Sequence, residues 1–193
     1  QIASLGALLT VPWTFKFVWA PAVDAFRSRR FGLRPWIIGA QVAMALTILP
    51  LAREIEPTDL AWLTPLLLLH ALCAATQDVA IDGLAVRRLP ARERGTATGW
   101  MQAGMVLGRV AFGGLALWAE QLVGPVAVVG ALAALLLVSA GLAGLARDTG
   151  DAADGRGPAG RLAGSIRLLL DVLKRPATLL GLAFATIAGA GME

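Results

Sequence analysis

The chain has 193 residues, 57% hydrophobic and 16% charged, with a formal net charge of +4. That apolar share and a mean hydropathy of +0.70 exceed those of ordinary soluble domains, and the single cysteine, Cys73, excludes a disulfide framework and a cysteine-cluster metal site. A pI near 10.5 suggests nucleic acid for a soluble protein, but the charge here sits in short loops without interleaved aromatics, so no nucleic-acid partner is expected.

A helix that crosses the hydrocarbon core takes about 20 residues. In chain order the apolar runs are 2–23, 36–52, 60–86, 95–119 and 121–146, and a further run begins at 177. The first is interrupted by Lys16 and contains Pro12 and Pro21; the second has Pro50 near its end; the fourth carries one charge, Arg109. Five full spans are predicted, in an all-α multi-spanning transmembrane bundle. Residues 1–146 are expected to form a partial N-terminal bundle, 147–176 a linker, and 177–193 the start of a second bundle. Gln1 is not an initiator, no signal peptide precedes the first run, and the last run is short. The sequence is therefore expected to be a fragment, with the remainder of its own chain as a partner.

The connections set the orientation. Segments 24–35 and 87–94 hold four arginines each, and 147–176 holds five arginines and Lys174. The alternate connections hold Arg53 with Glu54, Glu56 and Asp59, and then Glu120 alone. The positive-inside rule places the three basic segments in the cytoplasm. Trp19, Trp36, Trp62 and Trp118 fall near span ends, as interfacial aromatics do, whereas Trp13 and Trp100 lie deeper and read as space-fillers between helices. Segment 148–160 has the composition of a flexible linker. From 161 to 175, Leu162, Ile166, Leu169, Leu170 and Leu173 share one helical face, which suits an amphipathic helix on the cytoplasmic surface, read as a plain surface linker rather than a regulatory or partner-binding element.

The charges within spans carry the chemistry. Intramembrane acids are costly, roughly 2.5–3.5 kcal/mol each, and usually serve a function or a partner. At 1.5 Å per residue Asp82 lies ~7 Å and Asp78 ~13 Å inside the cytoplasmic boundary set by Arg87, and Lys16 lies ~12 Å inside that set by Asp24. Lys16 and Asp78 can thus meet, as a neutralised pair or as a proton or substrate site. Gln77, beside Asp78, belongs to the same candidate path. Asp82 is expected to partner Arg30 or Arg34. Arg109, ~21 Å in, has a guanidinium fork suited to a carboxylate or phosphate, or snorkels outward. The glycines of 95–114 include two GxxxG spacings, which favour close helix packing. His70 reads as a packing residue.

The segment WAPAVDAFRSRRFGLRPW, residues 19–36, resembles the loop signature of the major facilitator superfamily. The stretches FKFVWAPAVDAF, FGLRPWIIGAQ and ATQDVAIDGLAVRRLPARERG are similar to the branch that contains muropeptide permeases and acetyl-CoA transporters. GMVLGRVAF, residues 104–112, leans toward the latter and GGLALWAE, residues 113–120, toward the former. This resemblance implies a fold of twelve helices in two halves, of which the chain covers about helices 2 to 7. It implies a cytoplasmic gate that includes Asp24, Arg30, Gly32 and Arg34. It also implies a proton-coupled secondary transporter in the bacterial inner membrane that imports a sugar-peptide such as a muropeptide or another anionic solute. Its partners are then a small solute, protons and the lipid bilayer. An acetyl-CoA-type thioester transporter is the alternative within the family.

Two other classes compete. Asp82–Gly83 near Arg87 is similar to the start of the CDP-alcohol phosphotransferase motif, but no acid lies between Glu93 and Glu120 to complete that site. No His/Glu metal set, Gly-x-Ser-x-Gly or P-loop occurs, so neither catalytic residues nor cofactors are expected. A non-transporting receptor bundle would leave the buried charges without a role.

Overall fold

In the computed structural model the described residues are 2–28, 30–53, 60–145, 157–181 and 183. They include the helices α1 (Ile2–Ala25), α2 (Arg34–Ile48), α3 (Leu60–Arg88), α4 (Ala91–Gly108), α5 (Leu115–Leu145) and α6 (Pro158–Leu173), and residues 176–181 are helical as well. A 3₁₀ turn, Leu49–Ala52, extends α2 around Pro50, and a π-helical stretch, Arg109–Gly114, joins α4 to α5.

Local sequence explains the boundaries. The α1–α2 loop turns within Ser28–Gly32, whose backbones exchange hydrogen bonds of 2.8 and 3.0 Å. Ser28 Oγ accepts from the backbone N–H of Arg30 and Phe31, and Gly32 supplies the positive φ of 57° that the turn requires. Pro35 then stands in the first turn of α2, where its missing N–H costs nothing. Arg87 and Arg88 end α3 at its negative dipole end. Pro90 separates α3 from α4, which begins with Glu93 in its first turn.

The sequence reading places a break between the fourth and fifth spans near Glu120. The structure puts it at Gly124, the one non-helical residue inside α5, with φ 80° and ψ 164°. Pro125 follows in the position where proline restarts a helix. The dihedral that reverses a helix favours glycine, and Glu120 cannot adopt it cheaply.

Three stretches of the described residues are long and apolar enough to cross a membrane: 34–52, 61–88 and 91–145. The last has 55 residues, enough for two passes at about 20 each. α1, at 24 residues, also exceeds that length. Helix α3 packs against α1 and α2, and α2 packs against α5. One core cluster joins Val23, Leu33, Ile37 and Ala80; another joins Ala45, Ile48, Val129 and Ala133. Small side chains at these contacts let the helices approach closely, as helices in lipid do. Large apolar groups point outward instead: Trp100 is 76% exposed and Leu107 68%. Trp100 therefore does not fill space between the described helices. An apolar surface on this scale is one that water does not cover.

Candidate functional site

Asp78 and Asp82 stand four residues apart on α3 and so share one face. Lys16 reaches that face from α1. Its Nζ donates to Asp78 Oδ2 at 2.5 Å and to Asp82 Oδ2 at 3.1 Å. The ammonium has three donors on a flexible stem and spans one helical turn without strain. The three side chains retain 34%, 38% and 47% exposure, respectively. With all three groups ionised the cluster carries one net negative charge.

These side chains open onto a cavity of about 230 Å³ between α1, α2, α3 and α4. Trp13 and Met44 form part of its wall, and Thr98, Met101, Gln102 and Met105 present one side of α4 to it. Gln77 also lines the cavity, and its Oε1 is buried without a hydrogen-bond partner. The cavity thus combines an acid–base cluster, an amide acceptor and soft apolar walls. A larger groove, about 640 Å³, is lined by Pro50, Arg53, Trp62, Pro65, Leu66 and Leu69. Among its described lining residues the ionisable one is Arg53, which stacks on the Trp62 ring at 4.5 Å. The acid–base cluster makes the smaller cavity the better candidate.

A second ionic centre lies at the ends of α1 and α3. Asp24 accepts from Arg27 at 3.3 Å, from Arg87, and from Ser165 Oγ of α6 at 3.2 Å. The carboxylate therefore ties together α1, α3 and α6. Arg34 instead donates to the carbonyl of Gly144 in the last turn of α5, and Arg30 stacks over Phe31 at 5.2 Å. Asp24, Arg30, Gly32 and Arg34 are near one another in sequence, but Asp24 does not bond Arg30 or Arg34 among the described residues.

The structure thus brings Lys16, Gln77, Asp78 and Asp82 into one cavity. It corrects the expected partner of Asp82, which is Lys16 rather than Arg30 or Arg34. Asp82 shares its face with Asp78, and the same ammonium serves both. Arg109 is not among the residues lining this cavity: it is exposed, and its Nη lies 3.7 Å from Met105 Sδ. His70 does more than fill space, since its Nδ1 lies 2.8 Å from Thr47 Oγ1, which also bonds the Met44 carbonyl. The sequence reading did not pick out Thr98 and Gln102. Their i, i+4 spacing, which continues one face of α4 through Met101 and Met105, was the available signal.

Fold and site together define a multi-spanning all-α membrane protein with a charged cavity lined by its helices. The chain belongs to the major facilitator superfamily: the family model of that description matches residues 1–192. It is 33% identical over 133 residues to the anhydromuropeptide permease of Escherichia coli K12, covering 68% of this chain and 27% of that protein. It is 23% identical over 92 residues to a putative transporter, AmpG 3, of Rickettsia typhi, covering 45% of this chain and 22% of that protein. An uncharacterized protein of Haemophilus influenzae is 32% identical over 85 residues, 42% of this chain and 20% of its own length. The chain spans about a quarter of the length of these relatives.

Proposed function

We propose that the chain is part of a proton-coupled secondary transporter that imports an anionic solute of the sugar-peptide class. Membership of the superfamily and the similarity to a muropeptide permease support the transporter class and the solute class. The observation that carries the mechanism is the single ammonium of Lys16 shared by two carboxylates at the wall of a cavity.

The chemistry rests on charge count. A proton taken up by Asp82, the longer of the two contacts, neutralises the cluster. It also weakens the hold of Asp82 on Lys16, so one ammonium donor becomes available to a carboxylate of the solute. Gln77 and Gln102 offer further hydrogen bonds to the solute in the same cavity. Proton and anion then bind in mutual support, which is the requirement for symport. When the solute leaves, Asp82 returns its proton and recovers its ion pair.

In this reading the end of the bundle that holds Asp24, Arg87 and α6 faces the cytoplasm, because fourteen of the seventeen basic residues fall in segments on that side. The membrane is the bacterial inner membrane, residues 2–146 cross it five times, and Asp24 with its three partners acts as the gate on the cytoplasmic side. An acetyl-CoA-type substrate gains no support from the cavity, which holds one lysine and two acids where a polyphosphate needs several cations. The test is uptake of a muropeptide by the whole protein in vesicles under an imposed proton gradient. Uptake that needs the gradient supports the reading; equal uptake without it contradicts it.

A further inference from the structure

Helix α6 carries apolar side chains on more than one side, and the bundle covers one of them; Leu168, 62% exposed, stands opposite Ile166 and Leu170. On the inner flank Arg161 is buried, Leu162, Leu169 and Leu173 are half-buried, and Ser165 bonds Asp24, so this side is fastened to the end of α1. The adjoining ridge runs Ile166, Leu170, Lys174 at i, i+4 spacing. Ile166 is 42% and Leu170 51% exposed. Arg167 stands beside Leu170 at i, i+3, and Arg175 follows the helix; both are exposed, as is Asp171, one turn from Arg167, Lys174 and Arg175, so three exposed cations less one acid leave this end of the helix a net charge of +2. The result is an apolar strip edged by cations, carried at the end of a helix long enough to span a bilayer.

We infer that this outer flank of α6 binds the bilayer surface, with Ile166 and Leu170 in the acyl boundary and Arg167, Lys174 and Arg175 on anionic phospholipid headgroups. Charge decides between occupants. A protein partner packed on Ile166 and Leu170 would desolvate the flanking cations and need acids to meet them, whereas an anionic leaflet supplies phosphates at that edge. Amphipathic helices with basic margins lie in the interface in this way, and each cation near an anionic surface favours binding about fivefold. Because the inner flank holds Asp24 through Ser165, the same helix links the leaflet to the ionic centre on α1 and α3. The inference rests on the membrane-spanning class of the chain and not on its transport activity.

The test uses the whole protein in nanodiscs, in a Cys73→Ser background, with one bimane-labelled cysteine at position 166, 170 or 168. Brominated phosphatidylglycerol is expected to quench positions 166 and 170 about twofold or more beyond brominated phosphatidylcholine at equal mole fraction. Position 168, on the opposite side of the helix from both 166 and 170 and 62% exposed, stays near background. Replacing Arg167 and Lys174 together with glutamine brings the two lipids level, as does high salt. Equal quenching of the unsubstituted helix by both lipids overturns the anionic preference. Absence of quenching at 166 and 170 in either lipid overturns the lipid contact, and is the result given by a second copy or another part of the protein seated on this face.

Discussion

Substitution of Lys16 by methionine removes the one cation that two acids share, so its cost should exceed that of removing either acid. Opposite charges 4 Å apart attract by about 4 kcal/mol at an effective dielectric of ~20. The three side chains are a third to a half exposed, which screens that attraction, so each pair should contribute about 1–2 kcal/mol of net coupling. Lys16→Met also strands two carboxylates one turn apart, and a cost of about 2–4 kcal/mol is expected. Asp78→Asn should cost less, because Asp82 still holds the ammonium. A neutral pair made by Lys16→Met with Asp78→Asn leaves Asp82 alone and recovers only part of the loss. Adding Asp82→Asn should recover most of it. The assay is reversible unfolding of the whole protein in mixed micelles, run as double-mutant cycles for Lys16 with each acid. Coupling below about 0.5 kcal/mol in both cycles means the groups act independently, and the shared-ammonium account is then wrong.

Asp24→Asn should lower solute uptake about tenfold or more with expression retained, since it releases Arg27, Arg87 and Ser165 together; Arg87→Gln should do the same, at about 1–3 kcal/mol per charge-assisted bond. Unchanged uptake in both variants removes Asp24 from the mechanism. Gln102→Ala should raise the KM for the solute about fivefold or more, the loss of one hydrogen bond, without moving the unfolding midpoint, because the residue lines the cavity rather than the core. A lowered midpoint with KM unchanged would make it structural. Cysteines placed at 90 and 155 should resist a membrane-impermeant reagent in intact cells, and rapid labelling at either position would invert the orientation.

The features legible in the sequence are those set by one-dimensional spacing. Helical rise alone put Lys16 and Asp78 at one depth, and the 2.5 Å contact agrees with that arithmetic. The first three apolar runs, 2–23, 36–52 and 60–86, lie within two residues of the ends of α1, of α2 with its 3₁₀ turn, and of α3, whereas the fourth and fifth do not match α4 and α5. What spacing cannot give is the choice among partners. Asp82 is five residues from Arg87, yet the face it shares with Asp78 sends it to Lys16. Arg109 stands one turn beyond Met105 on a regular α4, so its depth could be counted from spacing, but not that the cavity lining ends at Met105. The break at Gly124 depends on a backbone dihedral and not on the charge of Glu120. Ser165 is an ordinary polar residue of an amphipathic helix until α6 docks, and only tertiary packing shows that it meets Asp24.

The most direct test of the central claim compares two modes of transport in proteoliposomes of the whole protein. The account predicts that the protein concentrates a muropeptide when a proton gradient is imposed and loses that accumulation with a protonophore. It further predicts that the variant Asp82→Asn, which loses the proton carrier and keeps the Lys16 donor for the solute, still exchanges solute across the membrane but no longer concentrates it. Accumulation by that variant equal to the unsubstituted protein, or accumulation indifferent to the protonophore, would contradict a coupling role for the Lys16–Asp78–Asp82 cluster.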